Sequence, residues 1–173
     1  MELKQKVVWA LGELGRGNNN IADELARAHL QWDGFVATIL DVTLDNTQLP
    51  ELRIAACVVI KDLVRLHLVE LSPPDKDNLR KWAVEAPAVI HNPGTLLKLV
   101  KEVVFQLVNL EYPHNWPTLP ETTYLRLTSA RTLEEIRGVL MLVEAVVTCD
   151  SPRPTDSTVS WEEIGYPSTN CQL

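Results

Sequence analysis

The strongest constraint on this chain is a helical apolar rhythm that keeps restarting. From Leu96 the apolar residues fall at Val100, Val103, Val104, Leu107 and Val108, and from Ile136 at Val139, Leu140, Val143, Val146 and Val147. Each set is a stripe down one helix face, the pattern of an element that packs on one side. The stretch Leu52 to Leu68 differs, because Ile54-Ala55-Ala56-Cys57-Val58-Val59-Ile60 is apolar all round. Periodicity alone fits a buried strand there. Leu63, Val64 and Leu66, with Lys61, Asp62 and Arg65 interspersed, carry the pattern past strand length. A helix buried on several sides is the better reading.

Boundary signals separate these stripes. Ser72-Pro73-Pro74-Asp75 sets a serine cap before a proline and an acid in the first turn, and Asn92-Pro93 repeats cap then proline. Thr132-Leu133-Glu134-Glu135 reads as a capping box. Gly15, Gly17 and Asn18-Asn19-Asn20 close one helix and cap the next. The spacing predicts helices over Leu3–Leu14, Asn20–Leu30, Gly34–Leu44, Glu51–Leu68, Pro74–Ile90, Pro93–Leu110, Pro117–Leu127 and Leu133–Cys149, with Pro87 kinking or ending the fifth early. Antiparallel pairs begin near Gly34, Pro74 and Pro117, a period of roughly 40 to 43 residues that matches HEAT or armadillo repeats. One pair buries too little to stand alone, so neighbours must stack. The expectation is an all-α solenoid of about four HEAT-type pairs over residues 1–149. Residues 150–173 change to Ser, Pro and Thr without a period, and are expected to form a disordered tail with Trp161 and Ile164 docking on the last helix. Either that tail covers the far face of the last pair, or the chain is a piece of something longer.

Composition narrows the function classes. Of the 173 residues 46% are hydrophobic but only 6% aromatic, so aliphatic side chains carry the core, as helix packing favours. The net charge of -7 disfavours nucleic acid and favours basic partners. Cys57, Cys149 and Cys171 are sparse and unpaired in spacing, the pattern of a reducing compartment. No signal peptide is apparent, and no apolar run reaches a membrane span, so a soluble intracellular protein is expected. His29, His67, His91 and His114 lack metal-ligand spacing and fall near predicted helix ends, where a donor suits free carbonyls. Gly12, Gly15 and Gly17 form a turn, since no Gly-Lys-Ser/Thr follows them. Glu134-Glu135 serves a cap, Glu162-Glu163 lies in the tail, and no serine or cysteine has a nucleophile's context. The expectation is a binding protein with no catalytic residues, cofactor or metal.

Three segments bear on what is bound. Leu52-Arg53-Ile54-Ala55-Ala56-Cys57-Val58-Val59-Ile60-Lys61-Asp62-Leu63-Val64 resembles the Arg-x-x-Ala-x-x-x-x-Leu-Lys-Asn-Leu-Ile helix of the importin-β (karyopherin-β) N-terminal domain. Asp75-Lys76-Asp77-Asn78-Leu79-Arg80 is similar to that family's Asp-Lys-x-x-Ile-Arg opening of the next helix. Glu111-Tyr112-Pro113-His114-Asn115-Trp116-Pro117-Thr118-Leu119-Pro120 looks like its Asp-x-Pro-x-x-Trp-Pro-x-Leu signature, and Ala22-Asp23-Glu24 echoes its Ala-Glu-Glu. Order and spacing agree from Leu3 to Cys149. Asp62 and Glu111 depart from the family's usual Asn and Asp.

The resemblance implies a right-handed superhelical stack and a nuclear transport receptor working in cytoplasm and nucleus. Its implied partner is the GTP form of the small GTPase Ran, met by second helices on the concave face, with basic cargo proteins and nucleoporins as further partners. Carried over by position, the contact residues are Arg53, Lys61, Asp62 and Arg65; Lys98, Lys101 and Glu102 lie on the next second helix without matching a motif residue. Pro113, Trp116 and Pro117 are expected to fix a turn and plug a seam between repeats. Arg53 has a plainer reading as a bridge to an acid in an adjacent repeat. The alternative function is a truncated HEAT scaffold without GTPase preference.

Overall fold

The structure is a computed structural model that describes residues 2–90 and 94–150. The described residues fold into α-helices with no strand: α1 Leu3–Gly15, α2 Asn19–Gln31, α3 Phe35–Leu44, α4 Pro50–Asp62, α5 Pro73–Val89, α6 Thr95–Glu111, α7 Leu119–Ser129 and α8 Leu133–Asp150. The expected helices are all present, with ends within two residues except at α4, which passes into a π turn over Leu63–His67. The Asn92-Pro93 cap, His91 and the tail with Trp161, Ile164 and Cys171 lie outside the described residues.

Local chemistry explains the boundaries. Gly17, at φ 83°, lets the chain reverse after α1. Its N–H donates to Leu14 O at 3.0 Å and that of Asn18 to Glu13 O at 3.2 Å, the paired bonds of a Schellman stop. Ser72 Oγ accepts from Asp75 N at 3.3 Å to start α5. At α8 the capping box is formed: Glu135 N donates to Thr132 Oγ1 and Thr132 N to Glu135 Oε2, each at 3.2 Å. Pro87 is buried inside α5, and the helix ends two residues later, at Val89. Pro87 lacks the N–H that the Ala83 carbonyl would accept, but only one turn remains to be lost. Gly138 of α8 crosses at this point, and a Cβ on it would lie 2.7 Å from Ala88 N and 2.8 Å from Pro87 C. Backbone meets backbone there, so only glycine fits.

Stacking follows the period read from the sequence. In the middle, like packs on like: α3 lies on α5 and α4 on α6, while α3 pairs with α4 and α5 with α6. At the two ends the second helix of one pair also reaches the first helix of its neighbour, α4 against α1 and α8 against α5. One continuous core runs from Val7 and Leu11 through Phe35, Ile39, Ile60, Leu79, Trp82 and Leu107 to Leu119 and Leu142. Ile54–Ile60 is the buried helix expected, with one correction: Val58 faces out while Ala56, Cys57, Val59 and Ile60 are buried. Burial raises the Cys57 thiol to about 12, so it behaves as a small core residue. On the last pair, Tyr124, Leu125, Leu133, Leu140 and Val147 remain exposed.

Candidate protein-binding groove

The residues singled out on the second helices do not all share one environment. Arg53 is half-buried and its Nε donates to the Thr43 carbonyl at 2.8 Å, tying α4 to the end of α3. Thr43 Oγ1 in turn accepts from Trp82 Nε1 at 2.7 Å and donates to Leu40 O at 2.7 Å. Arg53 thus joins a network across α3, α4 and α5, but its partner is a backbone carbonyl of its own pair, not an acid in an adjacent repeat, and it does not line the groove described below.

The remaining charges gather along α4, α6 and α8, which lie side by side. Lys61 pairs with Glu102 at 2.5 Å, and Lys101 with Glu144 at 2.9 Å. These bonds span 41 and 43 residues, one repeat each. The same span recurs elsewhere, in Lys4–Asp45 and in Arg126–Glu85, both 41 residues apart. A charge on one repeat therefore meets its opposite at the equivalent place on the next. Lys61–Glu102, Lys101–Glu144 and Arg126–Glu85 are largely solvated, so each stabilises by only about 0–1 kcal/mol. Their effect is on register more than on stability.

Between α4 and α6 an open groove of about 720 Å³ is lined by Arg65, Lys98, Lys101, Glu102, Phe105 and Leu110, among others. Lys61 and Asp62 border it through their ion pairs with Glu102 and Arg65, the latter at 3.1 Å. Lys101 Nζ stands 5.3 Å from the Phe105 ring centroid. Arg65 commits one guanidinium nitrogen to Asp62, and Lys98 has no ion pair among the described residues. Four cations thus face three carboxylates around an apolar floor. On a chain of net charge -7 this is a local excess of positive charge, with Lys98 and part of Arg65 free to meet an acidic partner.

The aromatic–proline turn sits away from the groove. Trp116 is buried in the common core, while Pro113 and Pro117 are exposed. The turn closes through Asn115 N and Trp116 N, which donate to Glu111 O at 2.7 and 3.0 Å. The Glu111 side chain, on a residue only 4% exposed, accepts from Arg80 Nε at 3.0 Å and from a second guanidinium nitrogen. Arg80 also holds Asp77 at 2.9 Å. The substituted acid of the signature therefore anchors the next-helix segment, joining two of the three motif stretches in one buried ion pair.

Sequence reading missed two things. It placed every histidine at a helix end serving carbonyls, yet His29 is enclosed beside His67. It also missed the inter-repeat charge pairs, although opposite charges about one period apart were there to find.

No protein-family model matches the sequence, and no curated protein matches it. Among solved structures the fold is similar to the exportin Cse1 in its cargo-free, cytoplasmic state, with a TM-score of 0.76 over 91% of this chain at 19% identity. The chain spans 17% of the length of that exportin. The likeness establishes the fold class: an all-α, HEAT-type solenoid. Among the described residues no helix is long and apolar enough to cross a membrane.

Proposed function

We propose that this chain is a nuclear transport receptor module whose α4–α6–α8 face binds the GTP form of Ran. The observation that carries this reading is the groove itself. Its open cations, Arg65 and Lys98, stand on the helix that bears the importin-β-like motif and on its neighbour. The fold likeness to an exportin and the order of the three motif segments support it from separate directions. Work in both cytoplasm and nucleus follows from such a role, as do basic cargo and nucleoporins as further partners of a longer receptor. Pull-down with Ran loaded with a non-hydrolysable GTP analogue, against the GDP form, tests it. Selective retention of the GTP form is expected; equal retention or none contradicts it.

One observation favours the scaffold reading instead. Lys61 and Lys101 are already paired inside the chain, which leaves fewer charges for a partner. Charge reversal at Lys61 and Arg65 separates the two. A GTPase site on this face weakens sharply, whereas a scaffold that uses other faces keeps its partners.

A further inference from the structure

His29, near the end of α2, and His67, the last residue of the π turn after α4, are 38 residues apart in sequence, and the fold stacks their rings at 4.7 Å between centroids. Glu70, in the loop before α5, completes the corner: its Oε2 is 3.0 Å from His67 Nδ1 and 3.5 Å from His29 Nε2. The three residues each offer a ligand atom, all within 4.8 Å of one another. His29 is the telling member. Its side chain is 1% exposed, yet neither ring nitrogen makes a hydrogen bond among the described residues. Its approach to Glu70 is in ion-pair range without hydrogen-bond alignment. A buried imidazole whose nitrogens make no well-aligned hydrogen bond costs free energy. A ligand at this corner removes that cost.

We propose that His29, His67 and Glu70 form a binding site for a divalent transition-metal ion, with Zn²⁺ as the preferred occupant. Two imidazoles and one carboxylate are a borderline-soft set that suits Zn²⁺ and disfavours Mg²⁺ or Ca²⁺, which want oxygen throughout. Tetrahedral Zn²⁺ with bonds of about 2.0–2.1 Å sets its ligand atoms about 3.3 Å apart. The two separations from Glu70, 3.0 and 3.5 Å, lie on either side of that value, and all three ligand atoms fall within 4.8 Å of one another. The exposed Glu70 supplies the freedom to adjust, and the buried His29 supplies the fixed ligand. Three protein ligands leave a fourth position for water or for a partner's side chain.

The π turn sits at the corner: its wider loop takes in an extra residue relative to a continued α-helix, and its last residue, His67, meets His29 of α2. A bound ion would clamp α2 to the end of the second pair, adding a metal link where α2 otherwise holds on through Ile21, Leu25 and Ala28. Binding to the folded state alone stabilises it. This site is independent of the GTPase reading and lies off the groove described above.

The test is calorimetric titration of the full chain, without a histidine tag, with Zn²⁺ at neutral pH, followed by Co²⁺ absorption spectroscopy. One equivalent should bind, with the visible bands of tetrahedral Co²⁺ and a raised melting temperature. Glu70→Gln and His67→Ala alter partly exposed side chains, keep the fold by circular dichroism, and should each weaken binding at least about tenfold. His29→Ala is set aside as evidence, because it also empties a buried position. No stoichiometric binding by the unaltered chain overturns the proposal. So does equal binding by both variants, or a thiolate charge-transfer band that places the ion on cysteine.

Discussion

The interior seam within and between the second and third helical pairs and the groove on the second helices use polar residues in opposite ways. In the seam the buried polar groups meet buried or half-buried partners: Thr43 with Trp82 across the two pairs and with Arg53 inside one, and Glu111 with Arg80 inside the other. In the groove the charges are half-solvated, paired along a ladder of one-repeat steps, and left with spare capacity at Arg65 and Lys98. The seam contributes stability because removing one partner strands the other away from water. The groove contributes little stability, and so is free to trade its pairs for a partner's. A solenoid can therefore keep its period while its binding face changes.

Breaking the seam should have the largest effect. Arg80→Ala leaves the Glu111 carboxylate buried without a cation, and should cost about 3–5 kcal/mol in denaturant unfolding. A cost under 1 kcal/mol would place Glu111 in contact with water. Thr43→Val keeps the shape but strands the Trp82 N–H, an expected loss of about 1–3 kcal/mol on the same measurement.

The α8 cap should cost less. Thr132→Ala is expected to remove about 1 kcal/mol, seen as earlier hydrogen exchange in the first turn of α8. The cap also carries a pH signature. Backbone N–H groups of Arg131, then of Thr132, hold the Glu135 carboxyl below its ordinary 4.5. Because the folded value is the lower one, this contribution is complete above the unfolded value and fades as pH falls through the folded value. The protection factor at the start of α8, taken against the intrinsic exchange rate at each pH, should therefore fall as pH drops below about 4.5. An unchanged protection factor there would show that the cap is not formed.

The groove should respond least in stability and most in recognition. Lys61→Ala or Lys101→Ala should shift unfolding by less than about 1 kcal/mol. If either cost several, the ladder would belong with the seam, and the contrast between the two regions would collapse.

How legible these regions were follows from the range of the interactions that build them. Helices were readable because stripes such as Leu96 to Val108, and caps such as Ser72 and Thr132, are local signals. The stack was readable because the period is a property of the chain itself. The role of Arg53 was only partly so: its motif position pointed to a partner, and its hydrogen bond to the Thr43 carbonyl is tertiary geometry. The His29–His67 corner was hidden for a different reason. Ligand-spacing rules look within one helix or loop, whereas this pair lies 38 residues apart and meets only after a π turn. Once a repeat period is known, searching for like chemistry one period away would have found both that corner and the charge ladder.

Binding at the groove is the claim most directly open to measurement. Ran loaded with a GTP analogue can be titrated calorimetrically onto the unaltered chain and onto an Arg65→Glu/Lys98→Glu variant of equal thermal stability. A measurable affinity for the unaltered chain, lost by at least about tenfold in the variant, is the predicted result. Equal affinity for both chains, or no binding by either, would contradict it.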